Sequence, residues 1–215
     1  MKKLMILVGA VALAAILSGC AKCCESEAMK MSTNGRNLFT AVKRANVERE
    51  TRGLPNLWPH ATEADGLSDE EEDIAGKKFQ SATEYFKALF DIGGDRPYID
   101  LHAEEYAMAD GRPVWCVAQG VSEEMPDGVP VLVSANFDCS RLPRRWTGSG
   151  PDADQKIAVG SIGKMGDYGI VVVYKGGIVK IIPYAEVTLR SILGNDPIPM
   201  LPASWLTPDG AVESK

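Results

Sequence analysis

Cysteine is the residue type whose positions most constrain the chemistry of this chain, and five cysteines are present. Cys20 ends the segment Leu17-Ser18-Gly19-Cys20, which follows Lys2, Lys3 and an apolar run from Leu4 to Leu17. A basic start, a short apolar stretch and small residues at its end are typical of a secretory signal. The run is shorter than the roughly 20 residues that a membrane-spanning helix needs. The pattern therefore predicts export.

Because a cysteine directly follows Leu-Ser-Gly, this segment resembles a bacterial lipoprotein signal. The resemblance implies cleavage before Cys20 and acylation of Cys20, and several acyl chains anchor a protein stably where one does not. An ordinary signal peptide that happens to precede a cysteine is the alternative. Ala21, in place of the Asp common in lipoproteins of the inner membrane, favours the outer membrane. Cys23 and Cys24 are interpreted as parts of a tether over residues 20–30.

Cys116 and Cys139 fall in two strand-like runs, Pro113–Val121 and Val129–Phe137. Met125-Pro126-Asp127-Gly128 lies between the runs and has the residues of a tight turn, because proline presets φ and glycine accepts positive φ. Folding the chain about this turn places Cys116 opposite Cys139, to within a one-residue bulge. Opposed strand residues approach the separation that a disulfide needs, and export permits oxidation. A Cys116–Cys139 disulfide is therefore favoured over two separate thiols.

Acidic and basic clusters offer weaker candidates for binding. Ser68–Asp73 is the densest charge run, but it lacks the alternating acids and central glycine of an EF-hand and is interpreted as a solvated helix start. Asp152 and Asp154 are weak candidates for Ca²⁺. The stretch 140–156 contains four residues that either bind an anion or partner or belong to a solvated loop, which is favoured: Arg141, Arg144, Arg145 and Trp146.

Catalytic motifs are not found in the sequence. His60 and His102 are its two histidines, and neither has the second histidine that the common zinc motifs require. Gly160-Ser161-Ile162-Gly163 does not match the G-x-S-x-G pattern of a nucleophile elbow. The sequence has neither a Walker loop nor a dinucleotide-binding fingerprint. We therefore predict a protein that is not an enzyme and needs no cofactor, with an envelope hydrolase using His60 or His102 as an alternative.

The composition suits one globular domain that is not a nucleic-acid-binding protein. Removal of the first 19 residues leaves 196, and 45% of the full chain is hydrophobic. The net charge of −6 becomes −8 when Lys2 and Lys3 are lost. A negative chain is a poor candidate for nucleic acid, and its total charge also disfavours electrostatic docking on anionic lipid.

Periodicity predicts helices in the first half of the chain and strands in the second. Apolar residues recur at helical spacing over Met31–Arg52, with Gly35 expected to weaken the helix start. Ser81 begins a capping box before a second helix, whose apolar face is interpreted as core. The apolar positions of that face are Tyr85, Phe86, Leu89 and Phe90.

The clearest local structure is a hairpin over Gly169–Tyr184, with β-branched arms joined across Lys175-Gly176-Gly177. The glycine pair favours a primed turn. A short helix is expected near Val187–Leu193. The proline-rich tail, 197–208, is expected to pack on the domain without forming a central strand. This order predicts an α+β fold with helices on a small antiparallel sheet built from hairpins.

Several segments carry a resemblance to the soluble headgroups of type II secretion pseudopilins and type IV pilin-like proteins. The resemblance covers residues 31–190 and is moderately specific. Its segments are Lys30–Ala41, Glu48–Pro59, Thr83–Asp91, Val114–Ala118 and Pro130–Ser134. It implies a helix followed by a compact antiparallel sheet, and it implies no active site. The chain departs from the family at its front, where a lipoprotein-type signal replaces the prepilin leader and its long apolar helix.

Together these observations predict a signal peptide over 1–19, a tether over 20–30 and a single pilin-like domain over 31–215. The expected role is structural or protein-interacting in the cell envelope, beside secretion or pilus-like machinery. The expected partners are the membrane, through acylated Cys20, and envelope proteins such as secretion pseudopilins. A lipoprotein that binds a small ligand or Ca²⁺ is the first alternative and a hydrolase the second.

Overall fold

The computed structural model describes residues 27–59, 74, 77–91, 98–160 and 169–214. Three predictions lie outside these ranges: acylated Cys20 with its signal, His60, and the acidic run 68–73. The predicted tether, 20–30, is described only from residue 27, and residues 27–30 are already helical. The first helix therefore includes the end of the predicted tether.

Helix α1 covers the described residues 27–50 and packs on the sheet through Leu38, Phe39 and Val42, which are buried. Gly35 was expected to weaken the helix start, but it lies inside α1, where the helix contacts the sheet. A Cβ atom at this position would stand 2.6 Å from the Trp115 ring and 2.9 Å from a Val173 methyl group. Glycine is therefore required for the close approach of helix and sheet.

The core of the fold is a six-stranded antiparallel sheet with the strand order β6-β5-β4-β3-β7-β8. Its strands are β3 Trp115–Ala118, β4 Pro130–Ser134, β5 Gly169–Tyr174, β6 Val179–Pro183, β7 Ser204–Leu206 and β8 Ala211–Glu213. A two-stranded sheet pairs β1 Met108–Ala109 with β2 Arg112–Pro113. Every residue of β3, β4 and β5 is buried, so both faces of the central sheet are covered.

The two predicted hairpins are present, but the expected details of both are wrong. Cys116 pairs with Val133 in the β3–β4 ladder, so Cys139 is not its cross-strand partner. The β4 strand ends before Cys139, which begins a 3₁₀ helix. In the β5–β6 turn only Gly177 has positive φ, and its N–H donates to the carbonyl of Tyr174 at 2.8 Å. This is a type I turn followed by a left-handed glycine in place of a primed turn.

The proline-rich tail contains an inner strand, contrary to the sequence prediction. β7 lies between β3 and β8, pairing Val117 with Leu206 and Leu206 with Ala211. Pro202 and Pro208 flank β7, so neither proline removes a backbone donor from its ladder. The prolines therefore lie outside the paired residues of this strand, and the proline content of the tail did not exclude it.

Short helices and loops complete the domain. They are α2 Ala82–Leu89, α3 Glu104–Ala107 and α4 Leu189–Leu193. The predicted cap of α2 is present, with Ser81 Oγ accepting from the N–H of Glu84 at 3.2 Å. Glu84 accepts from the N–H of Gln80, one residue before the cap. The predicted apolar face of α2 is buried, which confirms its assignment to the core.

Two different layers cover the two sheet faces. The face that carries Trp115 and Val173 lies under α1. Alternation along β5 turns Tyr174 to the other face, where its hydroxyl donates to the carbonyl of Ile192 in α4 at 2.6 Å. Trp146 and Ile198 form an isolated bridge between the loop after the 3₁₀ helix Cys139–Arg141 and the segment after α4. The α+β class is thus confirmed, and none of the described helices has the length and apolarity of a membrane span.

Candidate functional site

The two cysteines of the described chain meet in the core. Cys116 lies in the middle of β3 with 1% of its surface exposed, and Cys139 is fully buried. Asp138 caps the 3₁₀ helix Cys139–Arg141 by accepting from the N–H of Ser140 at 3.1 Å, and this fixes the backbone beside Cys139. The Cys116 and Cys139 side chains share a hydrogen bond. Cys139 therefore reaches Cys116 from the 3₁₀ helix that follows β4, and the two cysteines are not cross-strand partners in the hairpin.

Both sulfurs are free thiols in the structure, so the predicted disulfide is not formed there. Burial raises the pKa of the Cys139 thiol well above its ordinary value, and the hydrogen bond with Cys116 raises it further. A thiol of this kind is protonated at neutral pH and is a poor nucleophile. The arrangement suits structural bonding between the two sulfurs better than catalysis by either one.

Asp154, one of the two weak metal candidates, is occupied by an ion pair. Its carboxylate accepts from Arg190 Nε at 2.6 Å and from Arg190 Nη2 at 3.0 Å. These hydrogen bonds lower the pKa of the Asp154 carboxyl below its usual value. Arg190 also donates to the carbonyl of Gly148 at 3.0 Å, so it fastens the loop to α4. Sequence reasoning missed Arg190 because 36 residues separate it from Asp154 and no local pattern links them.

Asp152 does not complete a metal site with Asp154. In the described part of the chain no group of three histidine, cysteine or acidic side chains is placed to hold an ion. The backbone carbonyl of Asp152 accepts from the N–H of Gln155 at 3.2 Å in the turn that carries both acids. The backbone hydrogen bond of this turn therefore stabilises the loop.

The basic stretch is packed to a greater extent than the solvated loop that the sequence favoured. Arg144 bonds Glu213 at 2.8 Å and the carbonyl of Ser214 at 3.3 Å, which fixes the chain end to the loop. Trp146 is buried and donates through Nε1 to the carbonyl of Gly194 at 3.0 Å. Arg141 pairs with the Asp138 cap at 3.5 Å, and Arg145 is exposed. Three of the four residues therefore make contacts within the described part of the domain, and Arg145 is the exception.

His102 lines an open cavity of about 510 Å³ together with Glu104, Glu105 and Met108. Its side chain is 92% exposed and stands 3.5 Å from Asp100. None of the four lining residues is a serine, threonine or cysteine that could act as a nucleophile. A histidine this exposed is not held in the fixed orientation that general-base catalysis requires. The cavity gives the hydrolase alternative no support.

No protein-family model, curated protein or solved structure matches this chain.

Proposed function

We propose that this protein is a lipid-anchored, non-enzymatic component of the bacterial cell envelope, with a pseudopilin-like head. The head has a structural or protein-interaction role beside type II secretion or type IV pilus-like machinery. The outer membrane is favoured over the inner one by Ala21. Neither alternative function has an assembled site among the described residues.

The single observation that carries the proposal is the N-terminal segment ending in Leu17-Ser18-Gly19-Cys20. Its basic start, short apolar run and small residues before cysteine have the order of a lipoprotein signal. Acylation of Cys20 would give several hydrocarbon chains at one end of the domain, enough for stable anchoring. This location also supplies the oxidising compartment in which disulfides persist.

The architecture of the head supports the pseudopilin-like part of the proposal. A long first helix packed on one face of an antiparallel sheet is the layout that the segment resemblances imply. The described residues use their polar groups to fasten loops, as Arg144 and Arg190 do. Such a head suits a scaffold, because these polar contacts stabilise its shape.

The proposal also includes a disulfide that forms between the buried thiols of Cys116 and Cys139. In its formation each thiol loses one proton and one electron, and a thiol–disulfide exchange oxidant of the envelope accepts the two electrons. The two side chains are neighbours in the core, and a local adjustment would have to bring their sulfurs to bonding distance. The bond would join β3 to the 3₁₀ helix that follows β4.

The anchor is tested by metabolic labelling with an alkyne analogue of a fatty acid, followed by capture of the protein. We expect the label in the natural protein and in the Cys23→Ala, Cys24→Ala double variant, which is the matched control. Cys20→Ala is expected to abolish it. Label that persists in Cys20→Ala, or none in the natural protein, would overturn the anchor.

The role of the head is tested by crosslinking in cells, detergent extraction and identification of partners by mass spectrometry. Recovery of secretion or pilus-like components supports the proposed surroundings. Recovery of unrelated envelope proteins with none of these components contradicts that part and leaves the anchor in place.

A further inference from the structure

The first helix carries an unusual run of charge for an acidic protein. From Ala28 to Val47 the sequence contains four basic residues and no aspartate or glutamate, although acids outnumber bases 29 to 23 in the whole chain. The four cations are Lys30, Arg36, Lys43 and Arg44. The negative net charge of the whole chain disfavours binding to anionic lipid, but residues 28–47 are locally cationic.

The structure presents these cations to solvent. All four are exposed, while Gly35, Leu38 and Val42 face the core. At 3.6 residues per turn, Arg36, Lys43 and Arg44 fall along the side of the helix opposite that packed face. We call this side of α1, together with Lys30, the cationic face.

Two apolar side chains extend the cationic face at its ends. Met29 is 59% exposed and Val47 is 53% exposed, and their positions fall on the same side as Arg36. Among the described residues, no salt bridge uses any of the four cations, whereas Arg144 and Arg190 have acidic partners. The cationic face is thus free to meet negative charge from outside the described chain.

We infer that the cationic face of α1 lies against the anionic phospholipid headgroups of the membrane that holds the protein. The inference rests on the proposed anchor at Cys20. Seven residue steps separate Cys20 from residue 27, and an extended chain of that length reaches at most about 25 Å. The lipid anchor therefore keeps the start of α1 within about 25 Å of the membrane surface.

Local charge decides this interaction because salt screens charges beyond about 10 Å. Acids on distant surfaces contribute little at the helix, and the three acids of α1 itself, Glu27, Glu48 and Glu50, lie at its two ends. Lysine and arginine close to an anionic surface each strengthen binding by roughly fivefold. Exposed Met29 and Val47 add apolar groups that can enter the headgroup boundary, as in interfacial helices. An acidic protein partner would explain the cations equally, but it would not explain why they lie on the helix that follows the anchor.

The test is lysine footprinting of the full mature protein reconstituted in vesicles, read by mass spectrometry after digestion. One set of vesicles is phosphatidylcholine alone, and the other also contains phosphatidylglycerol. We expect acetylation of Lys30 and Lys43 to slow by about fivefold or more when phosphatidylglycerol is present, and high salt to restore it. Exposed Lys87 and Lys156 serve as internal controls whose rates should not change.

A variant pair checks the cause. Arg36→Gln, Lys43→Gln and Arg44→Gln together should remove the protection of Lys30. The control, which changes the net charge equally, carries three substitutions elsewhere and should retain it. Its positions are Lys78→Gln, Lys87→Gln and Lys156→Gln.

Equal rates at Lys30 and Lys43 in the two kinds of vesicle would overturn the inference. Protection that is already complete in phosphatidylcholine would also overturn it, because the face would then be covered by protein, from this chain or another copy. The same digest reports the mass of the peptide that begins at Cys20. An acylated peptide with equal lysine rates refutes only the docking, whereas an unmodified Cys20 refutes the anchor and the docking that depends on it.

Discussion

Replacing Gly35 by alanine tests the tight contact between α1 and the sheet. The new Cβ would stand 2.6 Å and 2.9 Å from Trp115 ring carbons and 2.9 Å from a Val173 methyl group. Favourable carbon–carbon contacts are about 3.5–4.0 Å apart, so all three are overlaps. Trp115 is fully buried and its indole N–H donates to the carbonyl of Tyr106 at 2.8 Å, which restricts its movement.

Two effects of opposite sign decide the magnitude. Alanine is favoured over glycine in a helix interior by about 1 kcal/mol. Overpacking a well-packed core costs about 1–3 kcal/mol, and loss of the indole hydrogen bond would add about 1 kcal/mol. We therefore expect Gly35→Ala to lower the free energy of unfolding by about 1–3 kcal/mol, with helix propensity offsetting only part of the clash.

The assay is urea unfolding, with stability taken from the midpoint at an unchanged m-value. Thr40→Ala, on the exposed side of the same helix, is the control and should change stability by less than about 0.5 kcal/mol. In a Trp115→Phe background the clashing ring atoms are absent, so the cost of Gly35→Ala should shrink by about 1 kcal/mol. A Gly35→Ala protein more stable than the natural one would refute the close approach.

Three further predictions follow from the thiols, the ion pair and the helix cap. Forming the Cys116–Cys139 disulfide with an oxidising thiol reagent should add about 2–4 kcal/mol to the free energy of unfolding. It is measured as a higher melting temperature that a reductant reverses, and an unchanged melt with a confirmed bond would contradict the stabilising role. Arg190 lowers the pKa of Asp154 below 3.8, so the pair's stabilisation is present above that pH and is lost as pH falls through the lower folded value. Carboxyl NMR should show this pKa returning towards 3.8 in Arg190→Gln, and a natural protein already at 3.8 would exclude the effect. Ser81→Ala should cost about 1 kcal/mol in denaturant unfolding and Ser81→Asp should recover most of it, whereas an equal loss in both would argue against a capping role.

Features that depend on neighbouring residues were predictable from the sequence. Helix α1, the Ser81 cap and the two hairpins follow from apolar period and turn chemistry, which act over a few residues. The primed turn predicted for the second hairpin was wrong, because a glycine pair permits several turn conformations. There, contact with the first hairpin matters, since the Gly176 N–H donates to the carbonyl of Asp127 at 2.9 Å.

The sequence by itself determined the order of helices before strands and the absence of acids from residues 28–47, and it predicts a lipoprotein-type signal at its front. The tertiary structure decided which distant segments contact one another and which side chains face solvent. It brought Cys139 to Cys116 without cross-strand pairing, paired Asp154 with Arg190, placed β7 inside the sheet and turned the cations of α1 to solvent. These outcomes depend on packing between segments far apart in the chain, where many partners are compatible with one local pattern and only the buried core selects among them.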